Sequence, residues 1–294
     1  MAPRKPPTTH GLAVVDKPAG VTSHDVVGML RRQFDERQVG HAGTLDPDAT
    51  GVLLVGVGKV TRLLRFLTAL GKTYTGEIVL GSTTSTLDAA GEVTGRFDMS
   101  AVTVDMARLA AAEHLTGPIM QIPPMVSALR VDGRRLHELA REGIEVERQP
   151  RPVTVYSFDI LGDIAHGARS DDPSVLRIEV RCSAGTYIRS LADDLGRLLG
   201  GGAHLRNLRR TAVGSFGDSE ARPPGECQLM TPIDALRDYP RVVVDDDAAD
   251  KIRHGRVLER FAGDGPWAVV DSTGSLLAVY ESFGDAAKPA VVVA

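Results

Sequence analysis

Gly40-His41-Ala42-Gly43-Thr44-Leu45-Asp46-Pro47-Asp48-Ala49-Thr50-Gly51 is the stretch from which the rest of this 294-residue chain can be read. Its three glycines, one proline and two carboxylates stand directly before the apolar run Val52-Leu53-Leu54-Val55. A loop that opens a strand has this pattern. Pro47 biases Asp46 away from the α region. Asp46 is thereby expected on a stiff loop, where a carboxylate can act as nucleophile, base or metal ligand. An Asp-Pro step by itself more often marks an Asx-turn that caps its own backbone. The choice depends on the rest of the chain.

Before the loop, Leu12 to Asp16 reads as a strand. It ends at the turn Lys17-Pro18-Ala19-Gly20. Thr22 or Ser23 can cap a helix with Val26, Val27, Met29 and Leu30 as its apolar positions. After the loop, a helix is expected near Val60 to Leu70, stopped by Gly71. Lys72 to Leu80 is a strand by alternation. Gly81 to Gly95 reads as a polar loop and Met106 to Leu115 as an Ala-rich helix. Arg134 to Arg141 suggests a short basic helix. Thr154 to Leu161 and Leu176 to Cys182 read as paired strands around a polar insertion, Gly162 to Ser174. Gly185-Thr186-Tyr187-Ile188-Arg189 opens a helix whose core stripe is Ile188, Leu191, Leu195 and Leu198. Strands and helices do not alternate regularly, which argues against a doubly wound α/β fold.

Residues 218–238 are rich in Pro and Gly and read as a linker. Beyond them, residues 239–294 form a small, mostly β module, and residues 1–10 a disordered tail without the apolar core of a signal peptide. A chain cut near Tyr239 is expected to fold, provided the module covers no apolar surface. From Ile233 onward there are 7 Lys and Arg against 11 Asp and Glu, of 34 and 38 in the chain. The net charge of -4 therefore resides in the C-terminal piece. There is no global basic signature for nucleic acid. Cys182 and Cys227 form no CxxC pair and read as reduced thiols of a cytoplasmic protein. No apolar run reaches membrane-spanning length.

Several motifs fail on spacing. Gly58-Lys59 and Gly71-Lys72-Thr73 lack the earlier glycine of a phosphate loop, since Leu53 and Phe66 stand there. Asp245-Asp246-Asp247 lacks EF-hand spacing. His41 has no second His or Cys at ligand distance, so no metal is expected. Two acid-free basic stretches remain. Gly51 to Gly76 carries Lys59, Arg62, Arg65 and Lys72, and Gly196 to Gly217 carries Arg197, Arg206, Arg209 and Arg210. Such runs are usually solvated helix faces. Flanking the polar candidates, they make a phosphate-tracking groove plausible.

The loop closely resembles the active-site loop of the TruB family of tRNA pseudouridine synthases. Further motifs match in order: Lys17-Pro18-Ala19-Gly20-Val21-Thr22-Ser23, Lys72-Thr73-Tyr74, Gln121-Ile122-Pro123-Pro124 with Ser127-Ala128-Leu129, Gly185-Thr186-Tyr187-Ile188-Arg189 and Leu208-Arg209-Arg210. The resemblance covers roughly residues 11 to 217. Val126, Arg130 and His137 depart from the family pattern outside the catalytic loop. The resemblance implies an α+β catalytic domain over 11–217, one mixed, largely antiparallel sheet with helices around it. A PUA-like C-terminal domain would follow. It also implies a cofactor-free and metal-free isomerase, expected to be monomeric, whose partner is the T arm of tRNA and whose target is the uridine at position 55. Asp46 would be catalytic. His41, Tyr74, Tyr187, Arg189 and Leu208 would bind the flipped uridine, with Arg189 paired to Asp46. Lys17, Arg62, Arg209 and Arg210 would contact the RNA backbone.

Two other classes are open to the residues alone. A non-catalytic RNA binder would not need the set Asp46, Tyr74 and Arg189. A glycoside or nucleoside hydrolase usually wants two carboxylates across the bond, and Asp48 is the near candidate.

Overall fold

A computed structural model describes residues 7–293, apart from 128, 132, 137, 138, 140, 141, 145 and 166–173. Two compact units result. The first comprises Met1–Pro47, Gly51–Leu70 and Val213–Ala294, the second Asp48–Thr50 and Gly71–Ala212.

The first unit opens with β1 (Gly11–Lys17), α1 (Ser23–Gln33), β2 (Val39–Ala42) and β3 (Thr50–Val57). β1 runs antiparallel to β3, with Leu12 opposite Gly56 and Asp16 opposite Val52. β2 also pairs antiparallel with β3, setting His41 opposite Val55. A full capping box starts α1: the Thr22 hydroxyl accepts from the Asp25 N–H, and the Asp25 carboxylate accepts from the Thr22 N–H. Val26, Val27 and Leu30 form its buried stripe. The helix expected from Val60 to Leu70 is split. A 3-10 turn over Gly58–Leu63 precedes α2 (Leu64–Ala69), and neither start has a capping side chain. Without a cap the orphan N–H groups favour the tighter turn.

In the second unit β4 (Lys72–Leu80) is followed by α3 (Val104–His114), β5 (Gly117–Gln121), β6 (Arg151–Ala165), β7 (Val175–Cys182), α4 (Ile188–Leu198) and β8 (Ala203–Val213). The strand order is β8-β4-β7-β6-β5. β4, β7, β6 and β5 are joined by antiparallel pairs, with Tyr74 opposite Val180 and Ile160 opposite Ile178. Lys72, Tyr74, Gly76 and Ile78 of β4 are buried and alternate with the half-buried Thr73, Thr75 and Glu77. The polar loop expected at 81–95 carries a short hairpin, Ser82–Thr84 with Val93–Arg96. Arg134–Arg135, expected as helix, pairs as a strand with Arg130–Val131. Most of the expected helix beyond it, and most of the polar insertion, lie outside the described residues. Ile188, Leu191 and Leu195 of α4 are buried, whereas Leu198 at its last position is 44% exposed.

The chain then returns to the first unit. Residues 218–238, read as a linker, instead line β1. Leu12 and Met230 exchange both backbone hydrogen bonds, and Arg222 joins Val14 and Asp16. The C-terminal part holds β9 (Arg241–Val243), α5 (Asp246–Arg253), β10 (Trp267–Val270), β11 (Leu276–Phe283) and β12 (Ala286–Val292). They form one sheet in the order β9-β10-β11-β12, extended by Leu258–Glu259. Its β9–β10 pair is parallel. β12 escapes sequence reading because Pro289 interrupts it, and that proline sits beside a register shift opposite Tyr280. Bulges are where a strand tolerates proline.

The C-terminal sheet buries two cores. Trp267, Val269 and Tyr280 pack with Ile252 of α5. Ala268, Val279 and Val293 belong to a cluster with Leu12, Leu63, Phe66 and Leu67. The Tyr239 hydroxyl donates to the Phe66 carbonyl at 2.8 Å, and Arg65 pairs with Glu281 at 2.9 Å. The module therefore covers apolar surface of α2, and the condition for an independently folding chain ending near Tyr239 is not met.

Candidate active site

The loop bearing Asp46 is fixed on both sides of that residue. The Ser23 hydroxyl accepts from the Leu45 N–H at 2.9 Å and also bonds the Leu45 carbonyl at 3.1 Å. Ser23 is buried and sits at the capped start of α1. On the other side, the Pro47 carbonyl accepts from the Lys17 ammonium at 2.8 Å and from the Gly20 N–H at 3.0 Å. Lys17 also donates to the carbonyls of Pro18 and Val21, at 2.9 and 2.6 Å. Gly20 and Gly43 take φ of 80° and 88°, a left-handed backbone that glycine adopts without steric cost. Asp46 itself is half-buried, and neither helix nor strand includes it. The stiff loop expected from Pro47 is present. What holds it is a buried lysine and a serine from elsewhere in the unit.

Lys17 was expected on the RNA backbone. Its fully buried side chain spends its ammonium on three carbonyls, so it is a clamp and not a phosphate contact. His41 stands half-buried on β2, facing Val55 across the pair. Arg62 is exposed on the 3-10 turn, where it can reach a phosphate.

In the second unit, Tyr74 lies on β4 with 9% exposure. Tyr187 is the residue just before α4, and Gln121 holds its backbone from both sides. The Tyr187 N–H donates to Gln121 Oε1 at 2.8 Å, and Gln121 Nε2 donates to the Tyr187 carbonyl at 3.0 Å. Arg189, on the first turn of α4, is 5% exposed. Its guanidinium donates to the Thr86 carbonyl at 3.0 Å and the Val126 carbonyl at 2.8 Å, and approaches Asp88 Oδ2 at 3.5 Å. It is held by the fold and is not a helix-surface arginine. Leu208 and Arg209 are half-buried on β8, and Arg209 Nη1 lies 3.5 Å from Thr50 Oγ1.

Arg210, also expected on the RNA backbone, is 1% exposed. It cannot present its charge to a phosphate. Its charge acts instead on buried Lys72, whose pKa falls from 10.5 to about 8, chiefly through burial and then through Arg210. The same pocket raises the Cys182 thiol to about 11, again mainly by burial. Among the described residues no three His, Cys, Asp or Glu side chains gather as a metal site.

Sequence reasoning missed Asp88, Thr86 and Gln121 as supports. Gln121 was within a quoted motif, but nothing in its neighbours says that its amide would embrace Tyr187. Thr86 and Asp88 lie in a stretch read as an ordinary polar loop. Leu87 between them has φ of 62°, a conformation no residue pattern announces for leucine.

Comparison with known proteins assigns the chain. Residues 31–188 match the TruB family pseudouridylate synthase N-terminal domain. Residues 189–226 match the tRNA pseudouridylate synthase B C-terminal domain, and residues 239–294 the C-terminal domain of tRNA pseudouridine synthase II. The tRNA pseudouridine synthase B of Rhodococcus jostii (strain RHA1) is 47% identical over 291 residues, covering 96% of this chain and 93% of that protein. The protein of that name from Mycobacteroides abscessus is 44% identical, covering 96% of both. Among solved structures, a chain of a Cbf5-Nop10-Gar1 complex superposes with a TM-score of 0.73 at 26% identity, over 97% of this chain and 85% of that one. With a family domain matching over half its length and near-full-length relatives at this identity, the chain belongs to the TruB family of pseudouridylate synthases.

Proposed function

We propose that this chain converts the uridine at position 55 in the T loop of tRNA to pseudouridine, with Asp46 as the catalytic residue. That it is an isomerase acting on tRNA uridine follows from its family. The observation that supports Asp46 is the double anchoring of its loop, by Ser23 at Leu45 and by Lys17 and Gly20 at Pro47. A carboxylate held this way needs little reorganisation in the transition state.

The target base leaves the stack first. Ionised Asp46 promotes rupture of the bond between N1 and ribose C1′, by attack on the sugar or on the ring. The base turns, C5 bonds to C1′, and the proton on C5 departs while N1 gains one. Atoms and electrons balance without a redox partner. Tyr74 stacks on the uracil and serves as the base for the C5 proton. Arg189 is the charge partner proposed for Asp46, Tyr187 and Leu208 line the pocket, and His41 holds the flipped RNA. Arg62 and Arg209 follow the backbone. The C-terminal PUA-like module touches tRNA beyond the T arm, and the enzyme works as a cytoplasmic monomer. No helix among the described residues is long and apolar enough to cross a membrane.

Asp46→Asn keeps the shape and removes the charge. With a T-arm stem-loop, pseudouridine formation should vanish while RNA binding persists. Substantial turnover by this variant would remove Asp46 from the chemistry.

A further inference from the structure

β8 contains a backbone outlier in mid-strand. Asn207 has φ of 52°, in the left-handed region that residues other than glycine seldom occupy. Successive side chains of a strand point to opposite faces. Here two neighbours point the same way: Arg206 Nε and Asn207 Nδ2 both donate to one oxygen of Glu77, at 2.6 and 3.0 Å. Glu77 lies on β4 with the half-buried set, on the face opposite buried Lys72, Tyr74 and Gly76. One residue out of step moves every later side chain to the other face. The consequence is visible beyond Asn207. Arg210 is buried and acts on Lys72 of the Tyr74 face. A Cβ added at Gly76, two residues from Tyr74, would meet the Leu205 side chain at 3.4 Å, which sets Leu205 on the Tyr74 face, and the β8 backbone at Leu208 Cα at 3.7 Å. Regular alternation from Leu205 would have turned Leu208 and Arg210 to the Glu77 face.

We propose that Glu77 is a positioning residue: by holding Arg206 and Asn207 together it locks the left-handed step that turns Leu208 to the face of the sheet carrying Tyr74. This rests on the reading above, in which Tyr74 and Leu208 line the uridine pocket. Glu77 touches no reacting atom and acts only through β8. Backbone strain kept at a functional element and held by its surroundings is the general pattern.

The test is a rescue. Glu77→Ala removes the acceptor. Asn207→Gly lets the backbone take positive φ without the clamp. Single-turnover pseudouridine formation on a T-arm stem-loop, at saturating RNA, should fall about tenfold in Glu77→Ala, while the dissociation constant stays within about twofold. The double variant Glu77→Ala/Asn207→Gly should return to within about threefold of wild type. Glu77→Gln, a milder change that keeps an acceptor, should lose about threefold and be rescued in the same way. It carries the test if Glu77→Ala does not fold. Amide hydrogen exchange at residues 206–210 should quicken in Glu77→Ala without any RNA present. Wild-type rates in folded Glu77→Ala and Glu77→Gln, or a loss that Asn207→Gly does not repair, would overturn the proposal. A wild-type protein silent on T-arm RNA would remove the substrate reading. Hydrogen exchange would then decide the clamp by itself, and unchanged exchange would overturn it.

Discussion

Lys17 and Lys72 show how much a residue's role depends on what surrounds it. Both are lysines at a strand end in a motif, and both are buried. Lys17 meets three carbonyls, so its charge is compensated by dipoles. Lys17→Met should leave the Pro18 and Val21 carbonyls without this donor, leave Pro47 only the Gly20 N–H, and destabilise the protein by about 3 kcal/mol. Because one of the three carbonyls belongs to Pro47, turnover should fall further than stability alone explains. Urea unfolding and single-turnover rates measure the two effects, and a loss under about 1 kcal/mol would show that the clamp is unimportant. Lys72 is the opposite case. Burial and Arg210 lower its pKa to about 8 from 10.5. The unfolded chain then binds the proton more tightly, so stability rises as pH climbs from about 8 towards 10.5. Cys182 and Cys227, raised to about 11 from 9.0, act in the other sense above pH 9. Comparing wild type with Lys72→Met cancels Cys227 and, because Lys72 is the smallest of the influences on Cys182, nearly cancels that thiol as well. Between pH 8 and 9 wild type should gain about 1 kcal/mol relative to the variant. Parallel stability curves would exclude a depressed lysine.

At the level of elements, the acid-free stretches divide once they are folded. Arg62 is exposed on its 3-10 turn, and Arg209 is half-buried on β8. Lys72 and Arg210, from the same two stretches, are buried. A run of basic residues is therefore not a track; only the positions that the period of the element turns outward can meet phosphate. Each phosphate contact contributes about 0.7 to 0.9 to the slope of log affinity against log salt. Arg62→Ala and Arg209→Ala should each flatten that slope by about this amount while leaving single-turnover rates at saturating RNA nearly unchanged. Salt titrations of RNA binding read it directly, and two unchanged slopes would place the RNA on another surface. The helices follow a simpler logic. α1 and α3 begin where Thr22 and Thr103 accept from the N–H three residues on. α2 lacks such a cap, and a 3-10 turn runs into it.

Within the first unit, the C-terminal module is not an appendage. Ala268, Val279 and Val293 share a core with Leu63, Phe66 and Leu67, and residues 218–238 complete the edge of β1. A chain ending near Tyr239 should expose that apolar surface. It is expected to be insoluble, or to bind hydrophobic dye with weak near-ultraviolet circular dichroism. A soluble, cooperatively unfolding truncation would show that this core is dispensable.

Local pattern carried the sequence reading as far as local physics reaches. The Pro47 constraint, the period-two alternation of β4, the apolar stripe of α4 and the cap at Thr22 each act within a few residues. The sequence alone therefore determined those elements, the local Pro47 restriction on Asp46 and, through motifs in fixed order, the family. Tertiary structure decided what depends on residues distant in the chain. It put Lys17 under Pro47, thirty residues on, and Gln121 against Tyr187, sixty-six residues away. It buried Arg210 by a single left-handed step at Asn207, because in a strand one residue out of phase exchanges the two faces. It also made the C-terminal module part of a core, since apolar side chains record that they will be buried but not against which partner.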